Sequence, residues 1–78
     1  MMNQAIALEL DVSGLTCPMP LLKTKQALNK LASGDVIRVV ATDPASERDF
    51  KVFADQSGNT LLSAERAGSN FIFMLRKS

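Results

Sequence analysis

The sequence predicts an α+β fold: a two-layer α/β sandwich, ordered βαβαββ, with a four-stranded mixed sheet and two helices on one face. Three observations carry that prediction. Segments with period-two or β-branched character alternate with two segments of helical apolar spacing. The last two strand-like segments are joined only by Ala67-Gly68-Ser69-Asn70, which reads as a hairpin turn. Finally, 78 residues make one small domain, 1–78, with room for a single core. Right-handed crossovers would put both helices on the same face of the sheet, closing a two-layer structure.

The first strand is read from Ile6, Leu8, Leu10 and Val12, which alternate with Ala7, Glu9 and Asp11. That period of two predicts one buried face. Ser13-Gly14 breaks it. A helix is predicted from about Pro18 to Leu31, with Cys17 at its N-cap and Pro18 at the first helical position, where a missing N–H costs nothing. Pro20 is tolerable within the same first turn. Leu21, Leu28, Leu31 and Ala32 share one helical face, and Lys23, Gln26 and Lys30 the opposite one. Lys25 falls at the edge of the apolar face and is expected near the cysteine end. Ser33-Gly34 is a natural stop.

Val36 to Ala41 is compact and β-branched, as an inner strand should be. Asp43-Pro44 then opens a second helix, with Ser46 and Asp49 spaced as a capping box. Phe50, Phe53, Ala54 and Ser57 are expected on its inner face, and Gly58 ends it. Strands follow at about Thr60–Arg66 and Phe71–Arg76. Phe71-Ile72-Phe73-Met74-Leu75 is apolar on both faces. Either neighbouring loops and side chains partly cover Ile72 and Met74, or they form a docking or dimer patch.

Composition excludes several classes of function. The formal net charge is +1, with no basic stripe to bind nucleic acid. With one cysteine and no histidine, neither an internal disulfide nor a zinc site is available. No glycine-rich phosphate loop occurs, so no cofactor is expected. No apolar run approaches a membrane span. Met1-Met2-Asn3-Gln4-Ala5 lacks the features of a signal peptide, and the unpaired cysteine suits a reducing cytoplasm.

Cys17 is the candidate reactive group. The missing histidine removes Cys–His acyl transfer, and the missing second cysteine removes dithiol oxidoreduction. A free cysteine is commonly a small buried hydrophobe. Against that, Pro18 and Pro20 stiffen the following backbone and hold Cys17 extended, projecting it from a rigid base. A helix N-terminus is expected to favour its thiolate. The effect is limited: an exposed helix end is worth roughly 0.3–1 kcal/mol to an adjacent charge. Lys25 could add to it. Asp43 and Asp49 read as a carboxylate pair or, the reading favoured here, as helix caps. A rigid nucleophile without a base suits sulfane-sulfur exchange, in which a thiolate takes the outer sulfur of a persulfide. Helix N–H groups would stabilise the product anion.

The run Gly14-Leu15-Thr16-Cys17-Pro18-Met19-Pro20 resembles the G-L-x-C-P-x-P signature of the TusA/SirA-like sulfur carriers. Ala41-Thr42-Asp43-Pro44-Ala45-Ser46, then Asp49-Phe50 and Phe53, match the same family, and the resemblance covers essentially the whole chain. It implies the βαβαββ fold and a persulfide, or a related sulfur adduct, carried on Cys17. Gly14, Pro18 and Pro20 would be the motif scaffold, and Lys25 and Asp43 partner-binding residues. It also implies a cysteine desulfurase or rhodanese-like donor and a downstream acceptor in tRNA thiolation, molybdenum-cofactor or sulfur metabolism. The activity would be a sulfurtransferase half-reaction rather than independent turnover, by a cytoplasmic monomer or weak dimer. Two departures stand out. Ala54 replaces a second cysteine common among relatives, and Ser57-Gly58-Asn59 replaces Thr-Gly-His. The alternatives are a regulatory interaction module using the apolar last strand, and an RNA-binding domain suggested only by fold analogy.

Overall fold

A computed structural model of the chain describes residues 5–78. The expectation about a leader at Met1–Gln4 lies outside them. The elements are β1 (Ile6–Val12), α1 (Met19–Leu28), β2 (Val36–Ala41), α2 (Ser46–Ser57), β3 (Thr60–Ala67) and β4 (Asn70–Arg76). The sheet order is β1-β2-β4-β3, with β1 parallel to β2 and β4 antiparallel to both neighbours. The predicted βαβαββ mixed sheet is therefore present, with β2 and β4 inside it. Among the described residues, no helix is long and apolar enough to cross a membrane.

One continuous core joins both helices to one side of the sheet. Val12, Ile37, Val39, Ala41, Phe71, Phe73 and Leu75 meet Ala27 and Leu28 of α1 and Phe50 and Ala54 of α2. Phe50 stacks on Phe73 with ring centroids 4.3 Å apart, a contact that adds to the area both rings bury. This stack anchors the first turns of α2 over β4, and so positions what α2 presents at its outer edge.

Several sequence expectations are corrected. A register shift between Ile6 and Leu8 leaves Ile6 opposite Val36 and 39% exposed, out of the buried row of β1. Helix α1 is shorter than predicted, because tighter bonds replace the α pattern. Lys30 N–H donates to the Ala27 carbonyl and Leu31 N–H to that of Leu28. Ala32 is exposed, and buried Thr24, whose hydroxyl donates to the Pro20 carbonyl, takes a place on the inner face. Ser57 is likewise exposed rather than inward. The capping box does not form. Ala45 is the N-cap of α2, and no side chain caps it. The Ser46 hydroxyl is buried without a hydrogen-bond partner among the described residues. Gly58 does close α2, in the left-handed conformation at φ +83°.

On the open face of the sheet, Ile72 and Met74 are half-buried. Val40 and Glu65 flank Ile72 by register, and Arg38 and Ser63 flank Met74. That is the partial cover weighed from the sequence.

Candidate functional site

The loop from β1 to α1 presents Cys17 exposed to solvent, and the Cys17–Pro18 peptide is cis. Local bonds shape the loop. Ser13 N–H donates to the Asp11 carboxylate at 2.9 Å, and hydrogen bonding from the Ser13 side chain first, then from this N–H, holds the Asp11 carboxyl below its usual range. Leu15 N–H donates to the Val12 carbonyl, and Met19 N–H to that of Thr16. Gly14 turns the chain at φ +81°, a conformation L side chains rarely adopt.

Distant bonds then fix the loop against the segment after β2. Gly14 N–H donates to Thr42 Oγ1 at 2.8 Å, and Cys17 N–H to Asp43 Oδ2 at 3.0 Å. Asp43 was expected to cap α2 with its side chain. Its carboxylate instead holds the backbone of the cysteine, while only its carbonyl meets Ser46 N–H.

Asp49 also departs from its expected capping role. The Cys17 thiol donates to Asp49 Oδ2 at 3.4 Å, within the looser range of sulfur, while Asp49 Oδ1 lies 3.8 Å from Arg48 Nε. The expected activation of the thiol is reversed. Asp49 accepting the thiol proton pushes the Cys17 pKa above its ordinary 9.0; desolvation and the negative charges of Asp49 and Asp43 add, and Arg48 opposes. The helix end has little to set against this. Cys17 precedes the N-cap, which is Pro18, rather than occupying it. Pro18 and Pro20 have no N–H, and that of Met19 is used by Thr16. The prolines that mark the motif thus remove two of the N–H donors that would solvate a thiolate near the helix N-terminus.

Lys25 lies in the last turn of α1 rather than at the cysteine end. Its ammonium sits over the Phe53 ring, 5.5 Å from the centroid. Both residues line an open groove of about 310 Å³ between the helices, together with Leu21, Arg48, Asp49, Val52 and Gln56. Asp49 is thus both a wall of the groove and the acceptor of the thiol. The site therefore gathers Gly14, Cys17, Asp43 and Asp49, with Lys25 further along the groove. Among the described residues, no group of three or more histidine, cysteine or acidic side chains is arranged to hold a metal ion.

Comparison with known proteins agrees with this architecture. A crystal structure of a SirA-like protein from Desulfitobacterium hafniense superposes with a TM-score of 0.77, covering 88% of this chain and 95% of that one. At 23% identity, that likeness concerns the fold alone. The sulfur carrier protein TusA of Allochromatium vinosum is 50% identical over 70 residues, 90% of this chain and 92% of that protein. The sulfur carrier protein TusA of Pseudomonas putida strain F1 is 37% identical over 68 residues, 87% and 85% of the two chains. The family profile described as sulfurtransferase TusA matches residues 8–77, a span that holds Cys17 and both carboxylates bonded to it, and the chain belongs to the TusA family.

Proposed function

We propose that this chain is a sulfur carrier that holds sulfane sulfur as a persulfide on Cys17 and passes it between partner proteins. The observation that carries this reading is Cys17 itself: the only thiol in the chain, exposed, on a loop tied to the segment after β2. Relatives named sulfur carriers support it. The reaction needs no base on the carrier. Cys17 Sγ bonds to the outer sulfur of a donor persulfide, and the donor's own S–S bond breaks. The donor sulfur leaves as a thiolate and takes up the proton that Cys17 lost. No net oxidation occurs, so no cofactor is required.

The donor is a cysteine desulfurase or a rhodanese-like protein, and the acceptor a second protein with a free thiol, all in a reducing cytoplasm. The carrier acts as a monomer or weak dimer. The groove beside Asp49 is a suitable face for either partner, with Lys25 and Phe53 as its cationic and apolar contacts. Asp43 serves the carrier from within, by positioning Cys17.

The test is intact-mass analysis after incubation with a cysteine desulfurase and cysteine, without reductant. The chain is expected to gain the mass of one sulfur, reversibly with thiols. Cys17→Ser should gain none while keeping its circular dichroism spectrum. If neither a desulfurase nor a rhodanese with thiosulfate loads the parent chain, the carrier reading is wrong.

A further inference from the structure

Asp49 poses a problem for a sulfur carrier. A carboxylate beside the reactive sulfur suppresses the thiolate that must attack, yet Asp49 receives the thiol directly at 3.4 Å. The difficulty disappears when the two states of the carrier are compared. The empty state holds a thiol, which can donate to a carboxylate. The loaded state holds a persulfide, more acidic than the parent thiol and largely anionic near neutral pH. A persulfide anion has no proton for Asp49. Its charge lies close to Asp49 and Asp43, with Arg48 as the nearby cation from α2.

We propose that Asp49 biases Cys17 toward releasing its cargo, because its carboxylate binds the empty thiol and repels the loaded persulfide anion. The proposal rests on the carrier reading above. On this account Asp49 sets how tightly sulfur is held, besides lowering the thiolate fraction that attacks. The raised thiol pKa is consistent with it, since the same contact stabilises the protonated empty form. The prolines contribute by leaving few helix N–H donors to compensate the persulfide charge. A carrier should hold sulfur weakly enough to give it up, and this site has the charge arrangement for that.

The exchange with glutathione persulfide isolates the effect from protein docking. Cys17 Sγ takes the outer sulfur, the glutathione S–S bond breaks, and glutathione leaves as a thiol with the proton Cys17 gave up. Charge and electrons balance, with one persulfide anion on each side. The measurement is the loaded-to-empty ratio by intact mass at equilibrium, at a fixed ratio of glutathione persulfide to glutathione. Asp49→Asn is expected to raise that ratio about two- to five-fold at pH 7.5, the scale of one exposed ionic interaction. Asp49→Glu should restore the parent value. The difference should shrink as pH rises through the thiol's own titration, where the empty form also becomes an anion and Asp49 repels both states. A merely structural role would not follow that pH course. An Asp49→Asn ratio equal to or below the parent's, with the parent loading normally, overturns the proposal alone. A parent chain that takes no sulfur, while iodoacetamide still alkylates Cys17, overturns the carrier reading and this proposal with it.

Discussion

An exposed thiol next to a helix is ordinarily expected to react fast; here the folded state should slow it. The Cys17 pKa lies above 9.0, because the Asp49 carboxylate accepts the thiol proton. A thiol with a pKa above that value is less than about 1% ionised at pH 7. Alkylation by iodoacetamide reads the thiolate fraction directly, so its rate against pH gives the titration. The folded chain should show a midpoint above that of the same chain unfolded in urea. Asp49→Asn removes the largest cause of the shift, and its alkylation at pH 7 should rise about two- to five-fold. The linkage sign follows. The folded state keeps the thiol proton to higher pH than the unfolded state. The resulting stability is fully present below the unfolded pKa and is lost as pH rises through the folded one. Stability should therefore decline with pH from about 9 upward in the parent chain, and less so in Asp49→Asn. A folded midpoint at or below the unfolded one would refute this reasoning, and would mean that the helix end outweighs both carboxylates.

Two further predictions concern what holds the site in place. Phe50 is fully buried and stacked on Phe73, so Phe50→Ala should cost about 3–5 kcal/mol. A domain of this size has roughly 4–12 kcal/mol in total, so the variant loses a large share of its stability; a urea midpoint within 0.5 M of the parent, roughly 0.5–1.5 kcal/mol at typical slopes, would contradict it. Lys77 donates from Nζ to the Leu28 and Leu31 carbonyls, at 2.8 Å each, where α1 unwinds. Lys77→Met should lower the melting temperature by about 4–8 °C, equivalent to about 1 kcal/mol, and an unchanged melting curve would count against that cap.

The layout of this fold was legible because its signals are periodic and local. The β-branched run at Val36–Ala41 and the turn at Gly68-Ser69 needed no long-range information. Cys17 was legible for a different reason, as the only sulfur nucleophile among few other reactive groups. Its electrostatics were not legible. The spacing of Ser46 and Asp49 fits a capping box, a local device, and nothing local reveals that Asp49 turns to a thiol 32 residues earlier. Asp43 is hidden in the same way, since Asp-Pro before a helix reads as a cap whatever its carboxylate holds. The register shift next to the exposed Ile6 is a property of pairing with β2, which period-two counting within one strand does not sense. Lys25 was misplaced by judging proximity along a helix without its axial rise. Six residues after the N-terminal Met19, it stands most of two turns from the cysteine end.

The tethers of Cys17 carry a consequence for biogenesis. Thr42, Asp43 and Asp49 follow the residues they hold by 28, 26 and 32 positions. During synthesis the thiol therefore emerges from the ribosome well before the carboxylates that quiet it. A nascent chain offers an ordinary cysteine, whereas the finished domain offers one whose thiol proton is held by Asp49. Completion of the second helix is thus the event that brings the Asp49 carboxylate to the thiol and lowers its reactivity.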